Sequence, residues 1–109
     1  MIRIEIYYEN GGKISGFRAS GHSGTAEKGH DIVCAGVSAL SQAALLGIGR
    51  HLHREMDYDV DPSGDLRMKL SGEPDDLTQA IFETMRLGFV EIAKSYPNAV
   101  SLKESRTAR

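Results

Sequence analysis

Residues 2–20 read IRIEIYYENGGKISGFRAS, and this stretch predicts a pair of antiparallel strands joined by a tight turn. From Ile2 to Ile6, isoleucine alternates with charged residues, which is the period of a strand with one buried face. Asn10-Gly11-Gly12 suits the turn, because asparagine and glycine accept the positive φ that tight hairpins require. The chain returns over residues 13–20, where the uneven spacing of apolar residues around Gly16 predicts a bulge.

The rest of the chain continues this alternation of strand pairs and helices. The further predicted elements are a long apolar helix from about Ile32 to Leu52, strands at Tyr58–Val60 and Leu66–Leu70, a helix from near Pro74, and a strand at Ala99–Leu102. The buried stripe predicted for the second helix is Leu77, Ile81, Met85, Phe89 and Ile92. The order ββαββαβ predicts one α+β domain over residues 1–109, with two helices packed on a mixed or antiparallel sheet. Residues 103–109 are predicted to form a disordered tail.

The composition is that of a soluble globular domain, with 40% hydrophobic and 26% charged residues. A formal net charge of −2 provides no electrostatic footprint for direct binding of nucleic acid. No secretory signal is expected, because charged residues stand within Met1–Glu5, where a signal needs an apolar run. The uncharged segment Ile32–Gly49 is long enough to span a bilayer. Its polar and small residues favour a soluble helix buried on most of its circumference, so no membrane partner is expected.

Cys34 is the only cysteine, and it lies in the stretch DIVCAGVS at residues 31–38. It cannot form an internal disulfide, which fits a reducing compartment or a reactive thiol. Asp31 is the predicted N-cap of the apolar helix, which places Cys34 at the third helical position. Thiols ionise more readily at a helix N-terminus, and the thiolate is the nucleophile. The alternative is a buried structural thiol, because free cysteines commonly pack as small hydrophobic residues.

His22 favours the catalytic interpretation. It follows Gly21 at the end of a predicted strand and opens a loop, where functional side chains are commonly presented. Its imidazole can take the proton of Cys34 and later donate one to a leaving amine. His30 is a competing base, since it stands beside the start of the helix. His22 is preferred, because a residue from a neighbouring strand end can face the thiol across a gap.

Two further residues are candidates for supporting roles. Ser38 lies four residues after Cys34 on the same helical face, where its hydroxyl can bind the thiolate or a substrate oxygen. It can equally bond back to its own helix. Asp31 can orient an imidazole as well as cap the helix. A zinc site of His22, His30 and Cys34 is a rival, but their spacing matches no common zinc pattern, so neither metal nor cofactor is expected.

At these residues the sequence resembles the ribosomal-processing cysteine proteases, the Prp family. The match consists of Gly21-His22, a glycine-containing loop, and the motif Gly29-x-Asp31-Ile32-Val33-Cys34-Ala35-x-Val37-Ser38. In length and element order the resemblance extends over essentially the whole chain. One departure is Gly36, where the family pattern leads us to expect alanine, and glycine there costs about 1 kcal/mol of helix preference.

The resemblance implies that Cys34 is the nucleophile and His22 its acid–base partner, with Asp31 and Ser38 in support. It implies a bacterial, cytoplasmic, homodimeric endopeptidase. The implied substrate is the short N-terminal extension of a large-subunit ribosomal protein, number twenty-seven of the L series. Cleavage in such enzymes follows an apolar, aromatic-rich motif and precedes alanine.

A non-enzymatic function remains open on the residues alone. In that case the chain is a ribosome-associated binding module, and Cys34 is a structural or redox-sensing thiol. The absence of a second, resolving cysteine weighs against redox sensing. A structural thiol would resist alkylation in the native protein, which separates this hypothesis from the protease.

Overall fold

The computed structural model describes residues 1–21 and 28–106, with side chains from residue 32 onward in the first helix. The strands are β1 (Ile2–Tyr8), β2 (Ile14–Ser20), β3 (Met56–Val60), β4 (Leu66–Leu70) and β5 (Val100–Arg106), and the helices are α1 (Lys28–Leu46) and α2 (Asp76–Ser95). A π-helical turn, Gly47–His51, extends α1 toward the predicted end at Leu52. The predicted order ββαββαβ is confirmed.

The five strands form one mixed sheet in the order β3-β4-β2-β1-β5. Neighbouring strands are antiparallel except for β5, which pairs in parallel with β1. The two helices pack on one face of this sheet. The core between them contains Ile2, Ile4, Ile6, Phe17, Ala19, Leu66, Met68 and Leu70 from the sheet and Val33, Val37, Ala44, Phe82, Met85 and Phe89 from the helices.

The bulge predicted in the first hairpin is present. Tyr7 is opposite Gly16, whereas Tyr8 is opposite Ile14, so Ser15 is the extra residue on β2. The Ser15 hydroxyl lies 3.4 Å from the carbonyl oxygen of Tyr7, where it donates a hydrogen bond. The bulge therefore explains the uneven apolar spacing in the sequence.

Helix α1 is buried along one stripe, contrary to the prediction that most of its circumference is buried. Val33, Val37, Ser41, Ala44 and Ile48 recur at helical spacing and are all buried. Positions between them are half-buried or exposed. By length and composition alone, Ile32–His51 could cross a bilayer. Its buried stripe packs instead into the core shared with the sheet and α2.

Helix α2, predicted to start near Pro74, begins at Asp76 behind a strong N-cap, Asp75. The Asp75 carboxylate accepts hydrogen bonds from the backbone N–H groups of Leu77 and Thr78, both at 3.0 Å. Thr78 completes a capping box. The Thr78 N–H bond, followed by the pairing with Arg54, holds the pKa of Asp75 below its usual range.

The predicted stripe of α2 is partly wrong. Leu77 is 58% exposed, whereas Thr78 and Phe82 are buried together with Met85 and Phe89. The buried face is therefore centred on residues 78, 82, 85 and 89, which is one helical face. Leu77 lies one residue before Thr78, about 100° around the helix from it, and therefore faces away from the core.

The prediction of a tail from residue 103 is wrong for residues 103–106. Strand β5 continues to Arg106, and its register pairs Glu5 with Lys103 and Tyr8 with Arg106. The exposed, polar side chains of this segment lack a hydrophobic signal, because β5 is an edge strand held by main-chain pairing. Residues 107–109 lie outside the described residues.

Candidate active site

Gly21, which precedes the predicted base His22, follows the end of β2 at one edge of the sheet. Strand β2 ends there at Ser20, and its neighbours β1 and β4 begin there, because Arg3 pairs with Ser20 and Leu66 with Ala19. Strand β5 also begins at this edge, since Val100 pairs with Ile2. We refer to it as the site edge.

The N-terminal half of α1 lies toward the same edge. A methyl group at Gly36 would stand 3.4 Å from Cδ1 of Ile92, near the C-terminal end of α2, which leads into β5. Farther along, Gly47 faces Ile81 in the first half of α2. The two helices are therefore antiparallel, and the part of α1 that carries Cys34 points toward the site edge.

Gly21 is required by its backbone where the chain leaves β2. Its φ is +94°, in the left-handed region that favours glycine. A Cβ at this position would also stand 2.3 Å from the carbonyl oxygen of Met1, a distance no side chain tolerates. The glycine of the Gly-His pair thus has a structural cause: the chain turns tightly past the start of β1.

Asp65 also reaches this point. Its Oδ1 accepts a hydrogen bond from the Gly21 backbone N–H at 3.0 Å, across 44 positions of sequence. The sequence places Asp65 only in the connection between the predicted strands Tyr58–Val60 and Leu66–Leu70, because its contact with Gly21 depends on β2 pairing with β4. That pairing cannot be inferred from the local pattern around either residue.

Cys34 lies farther into α1 than predicted. The helix begins at Lys28, so Asp31 is a helical residue and not the N-cap, and Cys34 is the seventh helical residue and not the third. The field of the helix dipole falls off within the first turn. The helix N-terminus therefore lies farther from Cys34 than the sequence indicated, and the proposed chemistry depends more on a neighbouring base.

The surroundings of Cys34 are partly apolar and partly open. The thiol is half-buried and packs against the core, beside the buried Val33 and Val37. Ser38 is also half-buried and lies one turn later on the same face. At the buried Ser41, three residues later, the hydroxyl donates to its own helix, at the Val37 carbonyl oxygen, over 2.7 Å.

The other predicted site residues lie wholly or partly outside the described residues. His22 lies outside the described residues, and the side chains of His30 and Asp31 lie outside them as well. Within residues 1–21 and 28–106, as far as their side chains are described, no group of three or more His, Cys, Asp or Glu side chains could hold a metal ion. The proposed zinc set of His22, His30 and Cys34 falls mostly outside that search.

Comparison with known proteins defines the class. A family model described as "Cysteine protease Prp" matches residues 1–101, which include the site edge and Cys34. The chain is thus of the cysteine-protease class. Because the match covers nearly the whole chain, the protein belongs to the Prp family.

Relatives of known sequence and structure agree with this assignment. The ribosomal processing cysteine protease Prp of Staphylococcus aureus (strain Mu50) is 31% identical over 105 residues, which are 94% of this chain and 97% of that protein. The crystal structure of SMU.848 from Streptococcus mutans has a TM-score of 0.87 and 28% identity, covering 98% of this chain and 96% of that one. The crystal structure of an essential ribosomal processing protease Prp from S. aureus, in complex with a substrate peptide, has a TM-score of 0.88 and 27% identity, covering 96% and 100%.

Proposed function

We propose that this protein is a cysteine endopeptidase that removes the short N-terminal extension of a large-subunit ribosomal protein, number twenty-seven of the L series. The observation that carries the proposal is the family match over residues 1–101 together with the ribosomal processing relative in S. aureus. The S. aureus protein has been crystallised with a substrate peptide, which supports a peptide as the substrate class here. The proposed location is the bacterial cytoplasm, where trimming would support ribosome assembly.

In the proposed mechanism Cys34 and His22 form the catalytic dyad. His22 takes the thiol proton, and the Cys34 sulfur attacks the carbonyl carbon of the scissile peptide bond. Collapse of the tetrahedral intermediate breaks the C–N bond, and His22 donates its proton to the leaving amine. Water, deprotonated by His22, then attacks the thioester carbonyl carbon. The C–S bond breaks, the new carboxyl terminus is released, and His22 returns the proton to the thiolate.

Donors for the oxyanion are proposed near the start of α1. The first four backbone N–H groups of a helix have no partner within it. In α1 these belong to residues 28–31, and the last of them stands three residues before Cys34. The Ser38 hydroxyl is a second candidate because it shares a helical face with Cys34. Asp31, one turn before Cys34, is proposed to support the imidazole, since its position inside α1 removes the capping role.

The base is tested by the pH dependence of alkylation of Cys34. His22→Ala is expected to raise the pH at which iodoacetamide reacts at half its maximal rate, because a base near the thiol favours the thiolate at lower pH. His30→Ala is the matched control, since it removes the competing imidazole, and its profile should remain that of the wild type. The reverse pattern would assign the base to His30, and two unchanged profiles would remove both histidines from the mechanism.

A binding module is the second candidate, and the packing of Cys34 against the core favours it. In that case the native thiol resists alkylation over the whole pH range and reacts only after unfolding.

We also propose that the protein is a homodimer, as the resemblance implies. Sedimentation equilibrium at micromolar concentration should give twice the chain mass of 11.9 kDa. A mass of one chain at all concentrations would exclude the dimer.

A further inference from the structure

A hydrogen bond between Asp65 and Gly21 joins two parts of the chain that are distant in sequence. Gly21 is the residue directly before the proposed base, His22. The Gly21 N–H donates to Asp65 Oδ1 at 3.0 Å, and the next residue in the chain is His22. Both contact residues are partly buried, which protects the hydrogen bond from competing water. The contact anchors the last described residue of this segment to the β3–β4 turn.

The β3–β4 turn is closed without this hydrogen bond. The Asp61 N–H donates to the Asp65 carbonyl at 2.8 Å, and the Gly64 N–H donates to the Asp61 carbonyl at 2.8 Å. The Asp61 side chain accepts from the Ser63 N–H, also at 2.8 Å. Main-chain bonds and Asp61 therefore hold the turn, while the Asp65 carboxylate bonds to a different element.

The hydrogen bond to Asp65 restricts a residue whose backbone is otherwise unusually free. Glycine samples the left-handed region about as readily as the right-handed one, so an unanchored Gly21 could redirect the chain beyond it. The carbonyl oxygen of Met1 excludes any side chain at this position, since a Cβ would stand 2.3 Å from it, so the residue must be glycine. The carboxylate of Asp65 holds its N–H, which fixes the peptide plane that leads into Gly21.

We infer that Asp65 is a positioning residue for the reaction: it holds Gly21 and so sets the direction in which the chain continues into His22. The inference rests on the proposed Cys34–His22 dyad. Small displacements of a catalytic group cost large factors in rate, because proton transfer needs hydrogen-bond geometry. Asp65 acts in this account through the backbone and not by touching the substrate.

The test compares Asp65→Ala and Asp65→Asn with Asp61→Ala, in the wild type and in His22→Ala. Asparagine keeps an acceptor oxygen at the same distance, whereas alanine removes it. Asp61→Ala is the matched control, because it removes the other aspartate bond of the same turn without touching Gly21. The readouts are the pH of half-maximal alkylation of Cys34 by iodoacetamide, and kcat and KM on a peptide spanning the proposed cleavage site.

Asp65→Ala should raise the alkylation midpoint toward that of His22→Ala and lower kcat about tenfold with little change in KM. In the His22→Ala background, Asp65→Ala should change neither the alkylation midpoint nor kcat further, since the effect of Asp65 passes through His22. Asp65→Asn should recover most of the loss, and Asp61→Ala should retain the wild-type profile. If Asp65→Ala impairs folding, Asp65→Ser replaces it, because the shorter serine side chain cannot reach Gly21. The same shift of the alkylation midpoint and the same loss of kcat are expected.

The outcomes separate this inference from the proposed function. If His22→Ala shifts the midpoint and Asp65→Ala does not, only the role of Asp65 is overturned. Equal losses in Asp65→Asn and Asp65→Ala would also overturn it, since the carboxylate charge would then matter and not the hydrogen bond. If His22→Ala itself leaves the profile unchanged, the dyad fails and the inference fails with it.

Discussion

At the scale of single residues, glycines show most directly how backbone geometry restricts the sequence. A Cβ at Gly16 in β2 would stand 2.4 Å from the carbonyl oxygen of Met68 in β4, so the strands could pair only by moving apart. Among the side chains that the structure describes, a Cβ at Gly36 in α1 would meet Cδ1 of Ile92 at 3.4 Å, which is ordinary contact with the end of a flexible side chain. The two positions should therefore respond oppositely to the same substitution.

We predict that Gly36→Ala raises the free energy of unfolding by up to about 1 kcal/mol, the helix preference of alanine over glycine. Gly16→Ala should lower it, because the methyl group meets fixed main chain and not a side chain. Urea unfolding followed by circular dichroism measures both. A destabilised Gly36→Ala protein would show that α1 and α2 pack more tightly at Ile92 than the structure indicates.

Residue types alone identified the candidate catalytic residues, but they did not identify the hydrogen bonds around these residues. A single cysteine and a histidine after a glycine stand out by their chemistry. Asp65 does not, because its bond to Gly21 exists only once β2 lies beside β4. The assignment of Asp31 as N-cap was wrong, because an aspartate before an apolar run fits a helix start equally well when three helical residues precede it.

At the scale of elements, β5 depends on pairing and on one polar cluster. The Tyr8 hydroxyl donates to Glu104 Oε1 at 3.0 Å, and Arg86 on α2 approaches the same carboxylate at 3.4 Å. Burial, followed by the hydrogen bond to Glu104, raises the pKa of Tyr8 to about 12. This cluster joins β1, β5 and α2 near the end of the chain.

Truncation after Leu102 is predicted to destabilise the protein. It removes the parallel pairing of residues 103–106 with β1 and the Glu104 acceptor of the Tyr8 hydroxyl, and each net hydrogen bond contributes about 0.5–1.5 kcal/mol. We expect the free energy of unfolding in urea to fall by at least about 1 kcal/mol on that basis. Truncation after Arg106 is the control, since it keeps every pairing described here. Equal stability of the two truncated proteins would mean that residues 103–106 behave as the tail predicted from sequence.

Element types were predictable because hydrophobic period and turn chemistry are local. Strand β4 has the predicted bounds, and the bulge in β2 followed from apolar spacing. The stripe of α2 was displaced, since the exposed Leu77 has the same hydrophobicity as a core residue. The extent of β5 was missed, since an edge strand is stabilised by main-chain bonds that carry no side-chain signal.

At the scale of the whole molecule, the sheet order decides what the chain can bring together. The order β3-β4-β2-β1-β5 places the end of β2 between the starts of β1 and β4, so Gly21 lies beside Met1 and Asp65. The sequence predicted the α+β class and the order of elements along the chain. It could not predict the order of strands within the sheet, because different strand orders are compatible with the same local pattern. The mixed character of the sheet comes from the single parallel pair, β1 with β5.

The proposed function requires that this Prp-family chain cuts a ribosomal protein by means of its single thiol, Cys34. The most direct measurement is mass spectrometry of the N-terminally extended ribosomal protein after incubation with wild-type protein and with Cys34→Ala in parallel. The account predicts one cut before an alanine with the wild type and none with Cys34→Ala. The same cut produced by Cys34→Ala, or an intact substrate with both proteins, would contradict it.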